Sequence, residues 1–221
     1  TDKIKAQLAK AGVDISIFGD DLDVDQLEAI LGSPELAMQL ARTFERADIP
    51  CTEENMRDGA KALQLAGKLE QPGNGAIKYM IDNGLAPTIE NLYMAEYSGS
   101  ASYQPDQENG VDMSSLIGQV ERIIQQAGLA VDDSTRADCQ WMLQNQVPLN
   151  EENLKYMEVL KNLKLPVAAD SLMERIATAV SEGGRPQDAL LVGDASIGSR
   201  AESALAVAAE ATDEDLSYLI D

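Results

Sequence analysis

The stretch Leu85-Ala86-Pro87-Thr88-Ile89-Glu90-Asn91-Leu92 constrains the fold of this chain more than any other. An apolar residue, a proline, a hydroxyl residue, two polar residues and a leucine spell a turn that opens into an amphipathic helix. Thr88 is the expected N-cap, its side-chain oxygen accepting from an orphan amide of the first turn. Glu90 lies in that turn, where its charge complements the positive end of the helix dipole, and Asn91 takes the place of the usual capping-box Glu or Gln. The preceding segment, Gly75 to Asp82, reads as a helix closed by Asn83-Gly84, because glycine tolerates the left-handed conformation of a helix end.

This unit recurs. Ile49-Pro50-Cys51-Thr52-Glu53-Glu54-Asn55-Met56 and Val147-Pro148-Leu149-Asn150-Glu151-Glu152-Asn153-Leu154 repeat it, with Thr52 and Asn150 as caps. Looser versions begin at Val13, Leu129 and Leu165. The residues before the apolar position are Gly12, Asp48, Gly84, Gly128, Gln146 and Lys164, at separations of 36, 36, 44, 18 and 18. A step of 18 fits one helix plus a turn, and 36 fits a helical hairpin, the period of stacked helix pairs that cover one another's apolar faces. Any helical chain also uses such helix-start chemistry without being a repeat, and that reading stands beside the first. The expected fold is all-α, an array of capped helical hairpins forming a repeat-like bundle, with two subdomains as a further division.

Composition supports helices. The chain is 44% hydrophobic but only 4% aromatic, so its core is built from Leu, Ile, Val, Met and Ala. Ala189-Leu190-Leu191-Val192 is the one strand candidate. Seventeen Lys and Arg against 38 Asp and Glu leave a formal charge of −21, which repels phosphate backbones and anionic membrane surfaces. Nucleic acid and membrane are therefore not expected partners; a basic protein partner suits the surface, and so does plain solubility. No signal-peptide pattern opens the chain and no apolar run reaches the length of a membrane span, giving a cytoplasmic expectation. Because the chain begins Thr1-Asp2, it reads as a piece of a longer protein.

Along the chain, helices are expected at 3–11, Val24–Leu31, from Ser33-Pro34 onward, and from Thr52 to about Leu69, with Gly59 and Gly67 marking close helix contacts. The Ser, Gly and Pro content of 98–112 reads as a linker between an N-terminal half, 1–97, and a C-terminal half, 113–221. Past it, Leu116, Val120, Ile123 and Ile124 form one apolar stripe. Leu154, Met157, Leu160 and Leu163 form a second, and Leu172, Ile176 and Val180 a third. Asp132 or Asp133 starts the helix that carries Cys139, Trp141, Met142 and Leu143. The C-terminal tail is less regular until Ala201–Ala211 and a short last helix from Thr212.

Chemistry-bearing groups are sparse. The chain has no histidine, which removes Ser-His-Asp and Cys-His nucleophilic systems, and it has neither a Walker loop nor a GxGxxG between strand and helix. Asp21, Asp23 and Asp25 have the alternate spacing that opens an EF-hand loop, but Gln26 stands where glycine is needed and Gly32 where the bidentate Glu belongs. Capping of the following helix by Asp23, with Gln26 three residues on, is the simpler reading. Cys51 and Cys139 read as small buried hydrophobes, with a disulfide between them an open but unsupported alternative, and two thiols without histidine make no standard zinc site. Tyr93 and Tyr97 share a helix face, as packing residues or as ligand contacts, and Trp141 is a core indole or a partner anchor. No catalytic residue, cofactor or metal site is assigned.

Over Tyr79-Met80-Ile81-Asp82-Asn83-Gly84 and on through the capped stretch to Gly99, the chain resembles an uncharacterised family of long, acidic bacterial proteins with recurring Pro-Thr-x-Glu-Asn-Leu helical units. Some members lie near flagellar genes and are compared with hook-length control proteins. The likeness is best over 40–100, extends over 113–182 and does not reach the tail. It implies helical repeats and no known catalytic residues. The functional expectation is a non-enzymatic protein-interaction or scaffolding module of a larger bacterial protein. The rivals are a metal binder or carboxylate-based enzyme using Asp20–Asp25, and a component of a flagellar or exported assembly.

Overall fold

The computed structural model describes residues 32–103 and 113–193. These residues form helices and connecting turns, with no strand among them. The helices are α1 (Pro34–Arg46), α2 (Glu53–Ala66), α3 (Asn74–Asp82), α4 (Ile89–Met94), α5 (Ile117–Gln126), α6 (Asp133–Gln144), α7 (Glu151–Lys161) and α8 (Ala169–Ser181). α4 runs on without a break through a wide π turn, Ala95–Gly99, into a last turn, Ser100–Ser102. The helices expected at 3–11, Val24–Leu31 and beyond Ala201, the joint at Gly12 and the acidic run Asp20–Asp25 all lie outside the described residues.

The chain divides into two compact units, Thr1–Gly67 together with Val167–Asp221, and Lys68–Pro166. In sequence the two units divide at 67/68 and 166/167. In the first unit, α8 packs on both α1 and α2. Its core is Leu40, Phe44, Met56, Met173 and Ile176. Gly59 permits the α1 and α2 contact, since a Cβ there would fall 2.9 Å from Phe44 Cζ. Gly67 has a different role from the expected one: it is the C-cap of α2, so that helix stops short of Leu69. In the second unit α3 packs on the π turn and on α7, and α5 on α6 and α7, around Met80, Ile89, Ile124, Met142, Leu154 and Leu160.

Residues 98–103 join this second core and are not free linker. Ser98 to Ser102 are helical, and Gly99 is buried. A Cβ on Gly99 would lie 2.6 Å from Tyr79 Cβ, and one on Gly75 would lie 2.9 Å from Ser100 Cα. The small residues that read as flexibility are there because two backbones cross without side chains between them. Tyr103 then reaches forward in sequence, donating from its hydroxyl to Asn145 Oδ1 at 3.0 Å and accepting from Trp141 Nε1 at 3.3 Å. The Tyr156 hydroxyl donates to the Leu85 carbonyl, and Gln71 Nε2 to the carbonyls of Leu160 and Lys161 at 3.0 and 2.7 Å.

Ala189–Val192 is not a strand. The Arg175 guanidinium of α8 takes up its carbonyls, with Nη1 donating to Leu190 at 2.9 Å and Val192 at 3.0 Å, and Nη2 to Gly193 at 2.7 Å.

Candidate functional site

Four helix joints share one hydrogen-bonding pattern, and it explains what the recurring residues do. At each, the chain turns through a positive φ: 54° at Asp48, 58° at Gly84, 70° at Gly128 and 57° at Gln146. The next amide folds back on the helix just left, Ile49 to Phe44, Leu85 to Met80, Leu129 to Ile124 and Val147 to Met142, at 2.9 to 3.1 Å. This is the six-to-one bond of a Schellman end. Three residues later the cap closes the following helix. Thr52 and Thr88 Oγ1 accept from the amides of Asn55 and Asn91 at 3.2 Å, and Asn150 Oδ1 from Asn153 at 2.8 Å.

The asparagines do not serve as stand-ins for a capping-box acid. Their amide groups donate backwards to loop carbonyls, Asn55 to Pro50 at 2.8 Å, Asn91 to Ala86 at 2.9 Å and Asn153 to Pro148 at 2.8 Å. At the fourth joint Thr135 Oγ1 does this toward Ala130 at 2.6 Å while Asp132, the N-cap, accepts from the Thr135 amide. That contact holds the Asp132 carboxyl below the usual aspartate range. The Leu165 version departs from the pattern: Ala168 occupies the N-cap position without a side-chain bond, so neither Asp170 nor Ser171 caps α8.

The sequence-nominated side chains fall into inert and available groups. Cys51 and Cys139 are free and buried. Desolvation, with Glu45 near the first and Asp138 near the second, pushes both thiols up to about 11, so neither is a thiolate nucleophile at neutral pH. Trp141 is half-buried with its indole N–H engaged by Tyr103. Lys161 Nζ holds both carboxylate oxygens of Asp138, at 2.6 and 2.7 Å. Among the described residues no three His, Cys, Asp or Glu side chains are grouped to hold a metal ion, and no helix is long and apolar enough to cross a membrane. A cavity of about 290 Å³ beside the Gly75 and Gly99 crossing carries Lys78, but its ammonium is paired with Asp82 at 2.7 Å.

The outer face of α4 carries exposed apolar side chains, as do Ile117 and Val159 singly elsewhere. Ile89, Leu92 and Ala95 are buried, so Tyr93, Met94 and Tyr97 are turned outward. Met94 is 41% exposed and Tyr97 60%. The two tyrosine rings rest on each other, with centroids 4.4 Å apart and planes tilted by 42°. The Tyr93 hydroxyl, and then the carboxylates of Glu96 and Glu70, keep the Tyr97 phenol protonated above its ordinary range. Tyr93 and Tyr97 were legible from their spacing; that Tyr97 is exposed and Tyr93 half-buried was not.

The described residues thus define an all-α protein with a partly exposed aromatic helix face. The chain belongs to DUF6240, a family of unknown function, whose model matches residues 27–204. No curated protein and no solved structure matches it.

Proposed function

We propose that this chain is a non-enzymatic protein-interaction or scaffolding module of a larger bacterial protein, built of recurring helical hairpins. The observation that carries the reading is the outward Tyr93, Met94 and Tyr97 face on a helix whose other side is buried. Large apolar side chains held rigidly at the surface are the usual anchors of protein interfaces. The absence of histidine from the whole sequence and the two protonated, buried thiols support it from the chemical side. The charge of −21 favours a basic protein partner over nucleic acid or a membrane, and a cytoplasmic setting goes with that. Immobilised protein at low and moderate salt should retain a partner; retention of nothing under both conditions overturns the proposal.

The rival reading places a cation on Asp20–Asp25. A ligand that binds only the folded state must raise its stability. Melting in the presence of millimolar calcium separates the two, since an upward shift supports the metal site and no shift removes it. The family likeness to flagella-associated proteins motivates membership of a flagellar or exported assembly as a third reading. Fractionation of the producing cells tests it, and confinement to the soluble cell interior would overturn it.

A further inference from the structure

The face on α4 has a chemical character that narrows its partner. Tyr97 is held by its ring contact with Tyr93, so little side-chain freedom is left to lose on binding. Its phenyl face suits a cation, since the ring quadrupole is negative there. Glu96 follows Met94 on the same helix, and Glu70 is close enough to act on the Tyr97 hydroxyl. Lys68 is the nearest basic residue in sequence to Glu70, and no lysine or arginine lies between Lys78 and Arg122. The whole chain carries −21, so a second copy docking here would set acid against acid. Nucleic acid meets the same repulsion.

We propose that the Tyr93, Met94 and Tyr97 face docks a basic segment of a protein partner, with an arginine or lysine head over the Tyr97 ring and its aliphatic stem along Met94. This rests on the interaction-module reading above and names the surface and the partner chemistry. Met94 supplies a soft apolar rest for the stem of the cation, and Glu70 and Glu96 supply the counter-charge. The apolar contact fixes the docking place, and the carboxylates set approach rate and salt dependence.

The test titrates the full 221-residue chain with a short peptide of alternating arginine and serine, and with a matched peptide of aspartate and serine, while following tyrosine ring signals by NMR. The basic peptide should shift Tyr93 and Tyr97 saturably and the acidic one should not. Tyr97→Ala should weaken binding by roughly threefold to tenfold. Tyr97→Phe, which keeps the ring, should bind as wild type, and Glu70→Gln with Glu96→Gln should flatten the salt dependence. Unchanged far-UV circular dichroism of each variant removes misfolding as an explanation. Equal binding of the basic peptide by Tyr97→Ala, or no binding by the wild type, overturns the proposal. In the retention experiment, a partner held equally by wild type and Tyr97→Ala sinks this face and leaves the module reading standing. Retention of nothing sinks the module reading itself.

Discussion

Gly99 passes Gly75 so closely that a Cβ on Gly99 would lie 2.9 Å from the Gly75 carbonyl oxygen. That contact belongs to backbone, and backbone cannot rotate out of the way as a flexible side chain can. Gly99→Ala and Gly75→Ala should each lower stability by about 1–3 kcal/mol through forced separation of the two segments. Gly118, in the first turn of α5, has nothing within 4 Å of an added Cβ. Gly118→Ala should be neutral or stabilise by up to about 1 kcal/mol. Urea unfolding of the three variants checks the contrast, and equal effects at all three sites would refute the close-crossing account.

Asp48 and Gln146 sit in the left-handed region, with φ 54° and 57°, where the equivalent joints have glycine. A side chain there costs about 1–2 kcal/mol. Gln146→Gly should therefore recover a good part of that cost, partly offset by the greater freedom of glycine in the unfolded chain. Calorimetry should show a higher melting temperature for Gln146→Gly; a drop would mean that the Gln146 side chain makes a compensating contact.

Asn91 distinguishes two accounts of the joints. If its amide satisfies the Ala86 carbonyl, then Asn91→Asp, of the same shape but with no donor, should destabilise by about 0.5–1.5 kcal/mol. If it acts as a capping-box acceptor, Asp in the first turn should be tolerated or better. Thr88→Ala should cost about 1 kcal/mol on either account. A melting comparison of the two variants, repeated at Asn153 and Asn150, gives the answer.

Much of this was readable from sequence because it is local. Thr52, Thr88 and Asn150 are caps because the oxygen and the amide it serves are three residues apart, and the apolar stripes of α7 and α8 follow from periodicity alone. Of the aligned column, Asp48, Gly84, Gly128 and Gln146 turn through positive φ even where glycine is missing, Lys164 does not, and Gly12 lies outside the described residues. What escaped was what depends on distant partners. Gly99 resembled linker because its reason for being small is Gly75, and the Trp141 indole found its acceptor on Tyr103, across a gap of 38 residues. The direction of the Asn91 amide escaped because the side chain both donates and accepts. For the candidate surface, the i, i+4 spacing of Tyr93 and Tyr97 was visible, but which side of α4 is covered is decided by what packs on it, α3 among them.

Burial raises Cys51 and Cys139 from an ordinary 9.0 to about 11. As pH climbs past 9.0 the unfolded chain releases these protons first, so it is the unfolded state that gains. The stability tied to the two protonated thiols is whole below that pH and is lost as pH rises toward about 11. Denaturation midpoints across this window should fall less steeply for a Cys51→Ala, Cys139→Ala double variant than for the wild type. Identical slopes would mean that the thiols are not shielded. Tyr156, pushed by burial to about 12, adds a loss of the same sign at the upper end.

The first unit is interrupted in sequence, leaving at Gly67 and returning at Val167. A ribosome delivers α1 and α2 first, but the helix that covers them both is α8. Translation of Lys68–Pro166 must come between, a delay on the order of 5–20 seconds at typical elongation speeds. During that interval Leu40, Phe44 and Met56, wholly enclosed in the finished protein, lack the cover of α8 on the nascent chain. The intervening unit has its parts complete as soon as it clears the exit tunnel. Synthesis therefore matures the inserted piece ahead of the one that was started first, and the early helices are the stretch a holding chaperone would meet.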